Sequence, residues 1–174
     1  MGVFPTQYHS GGELDLDNLE SLRMSASSTV VKALTLSLAA AAYDLNDVLA
    51  ATQELTGALR VAGGSGALNS IVVIDQDDQG AAMDIFIFNA SATLGTENAA
   101  ISINDADAAK ILGIIRVVAN DYVDCINSMV ANPSFDPIDL EVASGTSIWV
   151  AAATRGTPTH TAAGIKLNIG ILQD

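Results

Sequence analysis

The chain has 174 residues, enough for one ordinary domain with a sizeable core. Charged residues make up 16% of it and hydrophobic residues 49%, with a mean hydropathy of +0.36. Soluble domains average about 25% charged residues. So little charge covers a free-standing monomer poorly, and we therefore expect part of the surface to be buried in an oligomer or larger assembly.

The charge that is present is strongly acidic, with 20 acidic against 7 basic residues. Such a surface repels phosphate backbones and anionic lipid, so we expect neither a nucleic acid nor a membrane as partner. Two explanations of the acidity stay open: it keeps an apolar protein in solution, or it suits a particle exterior or a basic partner.

Targeting signals and disulfides are not expected from the sequence. Residues 1–10 contain neither the basic nor the apolar region of a signal peptide, and apolar runs fall short of the roughly 18 residues that span a bilayer. Cys125 is the one cysteine, so an internal disulfide is impossible, and we expect it to be a small buried apolar residue.

Residues 1–27 are predicted to form an N-terminal arm, followed by a single β domain over residues 28–174. The arm mixes Gly, Ser, Asp and Asn with isolated apolar residues and shows no sustained alternation. A short strand at residues 14–17 and a short helix at residues 16–24 are both compatible with it.

Strand-like patterns dominate the rest of the chain. The predicted strands are residues 29–38, 44–50, 54–61, 68–74, 83–88, 114–118, 122–126, 147–153 and 164–172. Two of them, residues 68–74 and 83–88, are continuous apolar runs that indicate central strands buried on both faces.

One short helix is predicted over residues 104–112, because Asn104 suits an N-cap and helix-forming residues follow it. Pro133 and Pro137 predict a loop. Short, regularly spaced strands joined by Gly, Asn, Asp and Pro turns indicate a mainly β fold. We expect an antiparallel β-sandwich or barrel with one short helix and an extended N-terminal arm.

No arrangement typical of catalysis is visible in the sequence. His9 and His160 lack the spacing of a zinc site, and the glycine cluster at residues 63–66 lacks the lysine of a phosphate-binding loop. We therefore predict no enzyme, no metal and no cofactor. A pair of acidic residues that meets only in space and acts on sugars stays an open alternative.

The strongest metal candidate is the acidic turn of Asp75, Asp77 and Asp78 before Gly80, which resembles the first half of a calcium loop. The twelfth position of such a loop needs a bidentate glutamate, and Phe86 stands there instead. The sequence thus favours a solvated or inter-subunit turn.

The aromatic residues fall into two groups. Phe86, Phe88 and Trp149 lie inside apolar strand patterns and are predicted to be core residues. Phe4 and Tyr8 have little local core to join, so we predict that they are partner-binding residues that anchor the arm on a neighbouring subunit. The alternative is a frayed tail.

Four segments carry a family resemblance: residues 74–88 (IDQDDQGAAMDIFIF), 93–100 (TLGTENAA), 105–113 (DADAAKILG) and 154–159 (TRGTPT). Through them, residues 28–174 resemble a family of small virion structural proteins of tailed bacteriophages. The arm is the least comparable part, and the motifs identify no catalytic residue.

The resemblance implies a capsid decoration, or cement, protein on the exterior of the head of the virion, made in the host cytoplasm. It also implies the major capsid protein and further copies of this chain, as a homotrimer, as partners. The alternatives are a component of the tail, baseplate or fibre, and a module that binds the host surface or a glycan.

Overall fold

The computed structural model describes residues 28–174 of the chain, which form ten strands and two short helices. The strands are β1 (Ser28–Thr35), β2 (Val48–Leu55), β3 (Ser65–Asp75), β4 (Met83–Phe88), β5 (Ile111–Val117), β6 (Tyr122–Asp124), β7 (Met129–Ala131), β8 (Ile138–Glu141), β9 (Ile148–Thr154) and β10 (Ile165–Gln173). Helix α1 spans Asp105–Ala108, and a 3-10 helix spans Ala119–Asp121.

The strands form two sheets. One has six strands, in the order β1-β10-β3-β7-β6, with β8 also paired to β3. The other has four, in the order β2-β9-β4-β5, and the pairs of both sheets are antiparallel. Residues from both sheets share one core, so the predicted mainly β fold is confirmed as a sandwich.

Strand β10 lies between β1 and β3 in the six-stranded sheet, and its alternating sequence explains its burial on one face. Its apolar residues Ile165, Leu167, Ile169 and Ile171 are completely buried, whereas Lys166 between them is exposed. Burying each such side chain contributes about 1.5–3 kcal/mol, so this strand is a major source of stability.

Strand β4 is buried on both faces, as predicted from its continuous apolar run. Met83, Ile85 and Ile87 join the core between the sheets. Phe86 and Phe88 point to the other face and join a second apolar cluster, against which Trp149 packs partly buried. Leu94, Ala92, Ile101 and Ile103 of the β4–α1 connection complete this cluster and cover the outer face of the four-stranded sheet.

The prediction for residues 68–74 is wrong in one respect. Leu68, Ile71 and Val73 are completely buried, whereas Val72 and Ile74 on the opposite face are only partly buried. Within the described residues, no segment covers the outer face of this sheet in the way that the β4–α1 connection covers the four-stranded sheet. The apolar run of β3 is therefore buried on one face only.

Several boundaries also differ from the predictions. In place of the two strands predicted over residues 44–50 and 54–61, the structure has the single strand β2, which continues through residues 51–53 and ends just before the turn at Gly57, with φ of +63°. Helix α1 is shorter than predicted, since Ile111 already pairs with Phe88 as part of β5. Strand β7 and strand β8, the latter directly after Pro137, were not predicted.

Cys125 is exposed, so its predicted burial is wrong. It lies in the tight turn between β6 and β7, where its N–H donates to the Ser128 carbonyl at 2.8 Å. The turn is short and joins two three-residue strands, so it provides no buried position for the Cys125 side chain.

Candidate functional site

The predicted anchor residues Phe4 and Tyr8 lie outside the described residues, as do His9 and the rest of the predicted arm, residues 1–27. Their partner-binding role therefore stays a prediction. The described residues contain three other candidate features: the acidic turn after β3, a buried ion-pair cluster, and an exposed apolar edge.

Asp75 closes the acidic turn with its own carboxylate, which is completely buried. Its oxygens accept hydrogen bonds from the N–H groups of Asp77 at 3.0 Å, Gln79 at 3.0 Å and Gly80 at 2.8 Å. A buried carboxylate is tolerated only when such donors replace water. The turn is thus held from within, by the residue that ends β3.

Asp77 links the turn to the connection between β9 and β10. Its carboxylate accepts the Thr161 N–H at 2.8 Å and the Thr161 hydroxyl at 2.8 Å. The Nδ1 atom of His160 lies 3.2 Å from Asp77 Oδ2 and donates to it when that nitrogen carries a proton. We call Asp75, Asp77, His160 and Thr161 the turn clamp.

A close backbone approach also belongs to the clamp. A Cβ placed on Gly164 would lie only 1.8 Å from Asp77 Oδ2. Glycine at this position therefore lets the Asp77 carboxylate reach Thr161, and any larger residue would displace it.

The electrostatics of the clamp follow from these contacts. Burial raises the pKa of Asp77, but the hydrogen bonds from Thr161 and His160 outweigh it, so the pKa lies below its ordinary value. Burial, together with the negative charges of Asp75 and Asp121, raises the pKa of Tyr122. Within the described residues, the Tyr122 hydroxyl and His160 Nε2 are buried without a hydrogen-bond partner.

The clamp also contains a group of possible metal ligands, because ligand atoms of Asp75, Asp77 and His160 lie within 4.8 Å of one another. Their carboxylates, however, already accept backbone and hydroxyl donors, and Asp78 is exposed. Phe86, at the glutamate position of a calcium loop, packs in the second cluster. These hydrogen bonds hold the turn together, and the predicted absence of a metal stays a prediction.

A second buried charge, Asp84 on β4, joins three segments of the four-stranded sheet. Its carboxylate lies 2.7 Å from Arg155 Nη2, 2.8 Å from Arg155 Nε and 3.5 Å from Arg116 Nε. Arg155 also donates to Asn46 Oδ1, just before β2. The sequence contains no local signal for this cluster, because its members are dozens of residues apart.

The exposed apolar residues are unevenly distributed. Seven large apolar side chains are exposed in the described part of the chain, and four of them lie between residues 114 and 126: Ile114, Val118, Val123 and Ile126. Arg116, with 77% of its side chain exposed, lies among them. We call these five residues the β5–β6 edge; Ile114 and Arg116 face outward from the four-stranded sheet, and Val123 faces outward from the six-stranded sheet.

Both sheets end at this edge. Strand β5 is the last strand of the four-stranded order and β6 the last of the six-stranded order, and only the 3-10 helix separates them in the chain. Sheet edges with exposed apolar residues are typical sites of association with other chains. The low charge content predicted such a surface but could not locate it.

Within residues 28–174, no helix is both long and apolar enough to cross a membrane.

Comparison with known proteins gives no family: no family model and no curated protein matches the chain. Among solved structures, the chain is similar to the infectious bursal disease virus Gx strain at 14% identity and a TM-score of 0.39, over 84% of this chain and 31% of the other. The chain thus spans about a third of that neighbour's length.

Two further structural neighbours are similarly distant. The K3 adhesin domain of Lys-gingipain from Porphyromonas gingivalis W83 overlaps 66% of this chain and 60% of its own, at 17% identity and a TM-score of 0.29. Turnip yellow mosaic virus overlaps 84% and 93% respectively, at 9% identity and a TM-score of 0.29. Identities and TM-scores this low establish neither a common family nor a common function.

Proposed function

We propose that this chain is a virion structural protein, and specifically a decoration protein that binds the outer surface of a tailed-phage head. In this role it bridges neighbouring subunits of the major capsid protein and stabilises the shell, working as an oligomer, which the sequence resemblance implies to be a trimer. No bond is made or broken in this role, so the proposal includes no catalytic activity.

The observation that carries the proposal is the β5–β6 edge. A chain with 16% charged residues exposes Ile126 at 84% and Val123 at 65%, three residues apart at the outer end of the six-stranded sheet. Exposed apolar side chains that cluster in this way favour contact with other protein. Residues 74–88 and the other three segments resemble virion proteins of tailed bacteriophages. This resemblance supports the assignment of the chain to a tailed-phage particle.

The stabilising mechanism is a matter of linkage. A protein that binds the assembled shell, and not its separated subunits, shifts the equilibrium toward the shell in proportion to its affinity and concentration. The acidic surface, with a net charge of −13, suits the exterior position because it adds no attraction for the packaged nucleic acid.

Heat challenge of particles made with and without this chain tests the proposal. We expect particles that lack it to lose their packaged genome at a lower temperature, and added purified protein to restore the resistance. Equal resistance of the two particle types would contradict the stabilising role. Copy number gives the location: hundreds of copies agree with the head, whereas six or twelve would place the chain in the tail.

A further inference from the structure

We propose that residues 14–24 of this chain bind the outer face of its own six-stranded sheet, over strands β1, β10 and β3. The surface that they bind consists of four apolar residues around one lysine, and we call it the β1–β3 face: Val31, Ala33, Val72, Ile74 and Lys166. The contact lies within one chain, so the inference goes beyond the proposed binding to a shell and does not depend on it.

The strand pairing places these five residues on one side of the sheet. Two rows of directly paired residues cross β10: Ala33–Asn168–Val72 and Thr35–Lys166–Ile74. Val31 lies two residues before Ala33 on β1, and residues that are paired or two apart on a strand share a face. The residues of β10 that alternate with Lys166 and Asn168 are completely buried in the core, so the β1–β3 face is the outer one.

The β1–β3 face is apolar and open within the described residues. Val31 is 66% exposed, and Val72 and Ile74 are only partly buried. The corresponding face of the four-stranded sheet is covered by the connection between β4 and α1, which buries Leu94 to 1% exposure against Phe86 and Phe88. The sandwich thus covers one of its outer faces with a segment of its own chain, and the β1–β3 face offers the same kind of apolar surface to a second segment.

Residues 14–24, which lie outside the described residues, have the composition that such a cover needs. Their apolar side chains recur through the whole segment: Leu14, Leu16, Leu19, Leu22 and Met24. The segment is also close to the face in the chain, because β1 begins at Ser28.

The segment is long enough to reach the far end of the face. An extended chain advances about 3.3 Å per residue, so Ser28 and Thr35, the two ends of β1, are about 23 Å apart. The chain between Ser28 and Glu20 spans up to about 26 Å on the same basis. Glu20 and the residues before it can therefore reach the row that contains Lys166.

The charges favour this segment as the occupant. Residues 14–24 carry three acidic side chains and one basic one: Asp15, Asp17, Glu20 and Arg23. Lys166 is exposed and forms no ion pair with another described residue. The exposed acids Asp139 and Glu141 of β8 lie at the other end of the sheet, near the start of β1. Acidic residues of the segment are thus attracted to the end of the face that lies farthest from Ser28.

The same chain is a better source of the segment than another copy. Copies with a net charge of −13 repel each other, whereas covalent attachment at Ser28 gives the segment a high effective concentration at its own sheet. Phe4 and Tyr8 lie beyond Gly11 and Gly12 in the sequence, so they stay available for the contact with a neighbouring subunit that the sequence predicts.

Carbodiimide cross-linking tests the contact, because the reagent joins a lysine amine directly to a carboxylate that touches it. In the full chain, dilute and without shells, we expect links from Lys166 to acidic residues of the segment 14–24, identified by mass spectrometry. The ion pair of Lys110 with Asp107, in which Nζ and Oδ1 are 2.7 Å apart, is the internal positive control.

Substitutions in the segment separate apolar contact from attraction between charges. Leu16→Ser combined with Leu19→Ser keeps every charge, and we expect it to lower the yield of Lys166 links at least fivefold relative to the positive control. Phe4→Ser combined with Tyr8→Ser is the matched control outside the segment, and it should leave the yield unchanged.

A substitution in the face gives an independent reading. Val31→Ser should lower the yield of Lys166 links as the leucine substitutions do, because Val31 is the most exposed apolar residue of the face. Val61→Ser is the matched control, since Val61 is 45% exposed but lies outside the face. Circular dichroism checks that all variants fold.

The outcomes also distinguish the chain that supplies the segment. In a mixture of isotopically labelled and unlabelled chains, we expect the Lys166 links to join residues of one chain. Links between labelled and unlabelled chains would assign the face to the segment of another copy and overturn the inference. Missing Lys166 links beside a normal positive control would overturn it too, as would a yield that the leucine substitutions leave unchanged. Binding to shells is measured separately, so none of these results decides the proposed function.

Discussion

The carboxylate of Asp75 accepts three backbone N–H groups while completely buried, so its removal leaves donors that nothing else in the turn satisfies. Each unsatisfied buried donor costs about 1–3 kcal/mol, and we expect Asp75→Ala to lower the free energy of unfolding by about 2–4 kcal/mol. Urea unfolding measures this. Asp78→Asn is the matched control in the same turn, since Asp78 is exposed, and it should change stability by less than about 0.5 kcal/mol.

Asp77 gives a prediction about acid stability. Its pKa in the folded chain lies below the ordinary value, so the unfolded chain takes up a proton more readily than the folded one. The ionised carboxylate therefore contributes stability above about pH 4, and this contribution is lost as the pH falls through the folded pKa. We expect Asp77→Asn to be less stable than the wild type at neutral pH and to lose less stability between neutral and acidic pH. Parallel stability curves for the two proteins would contradict this assignment.

At the scale of strands, periodicity predicted the elements whose surroundings are uniform along their length. The alternation in β10 and the continuous run in β4 each matched the burial found in the structure. Strand β8 was missed because its four residues, IDLE, follow a proline and carry too little pattern to detect. Strand β8 is extended because it pairs with β3, and this pairing cannot be read from the local sequence of β8.

The buried ion pair of Asp84 is likewise a property of paired strands. Arg155→Met would leave the Asp84 carboxylate, which is 3% exposed, with only the more distant Arg116. Because an unpaired buried charge is expensive, we expect a loss of about 2–4 kcal/mol in the free energy of unfolding. Arg116→Met is the control: this side chain is 77% exposed, so its loss should cost below about 1 kcal/mol. Equal effects of the two substitutions in thermal unfolding of dilute samples would contradict the role given to Arg155.

For the whole molecule, the composition predicted that some of the surface is buried against other protein. Only the fold shows where the described residues expose apolar side chains that could form such a surface. Ile114 and Ile126 show no distinguishing pattern in the sequence, and they come to lie at the terminal strands of the two sheets only when the sandwich forms. The turn clamp is similar, because Asp77 and His160 are separated by 83 positions and meet through the pairing of β3 with β10. The acidic turn lies where it was predicted, but Asp75 is completely buried rather than solvated, and the partner of the turn in the β9–β10 connection was not predicted.

The central claim is that this chain acts by binding an assembled viral shell. Co-sedimentation of the purified chain with shells that lack it tests this most directly, with separated capsid subunits as the comparison. We expect saturable binding to the assembled shell and none to the subunits. A chain that stays monomeric in the supernatant at high concentration, with no affinity for shells, would contradict the account.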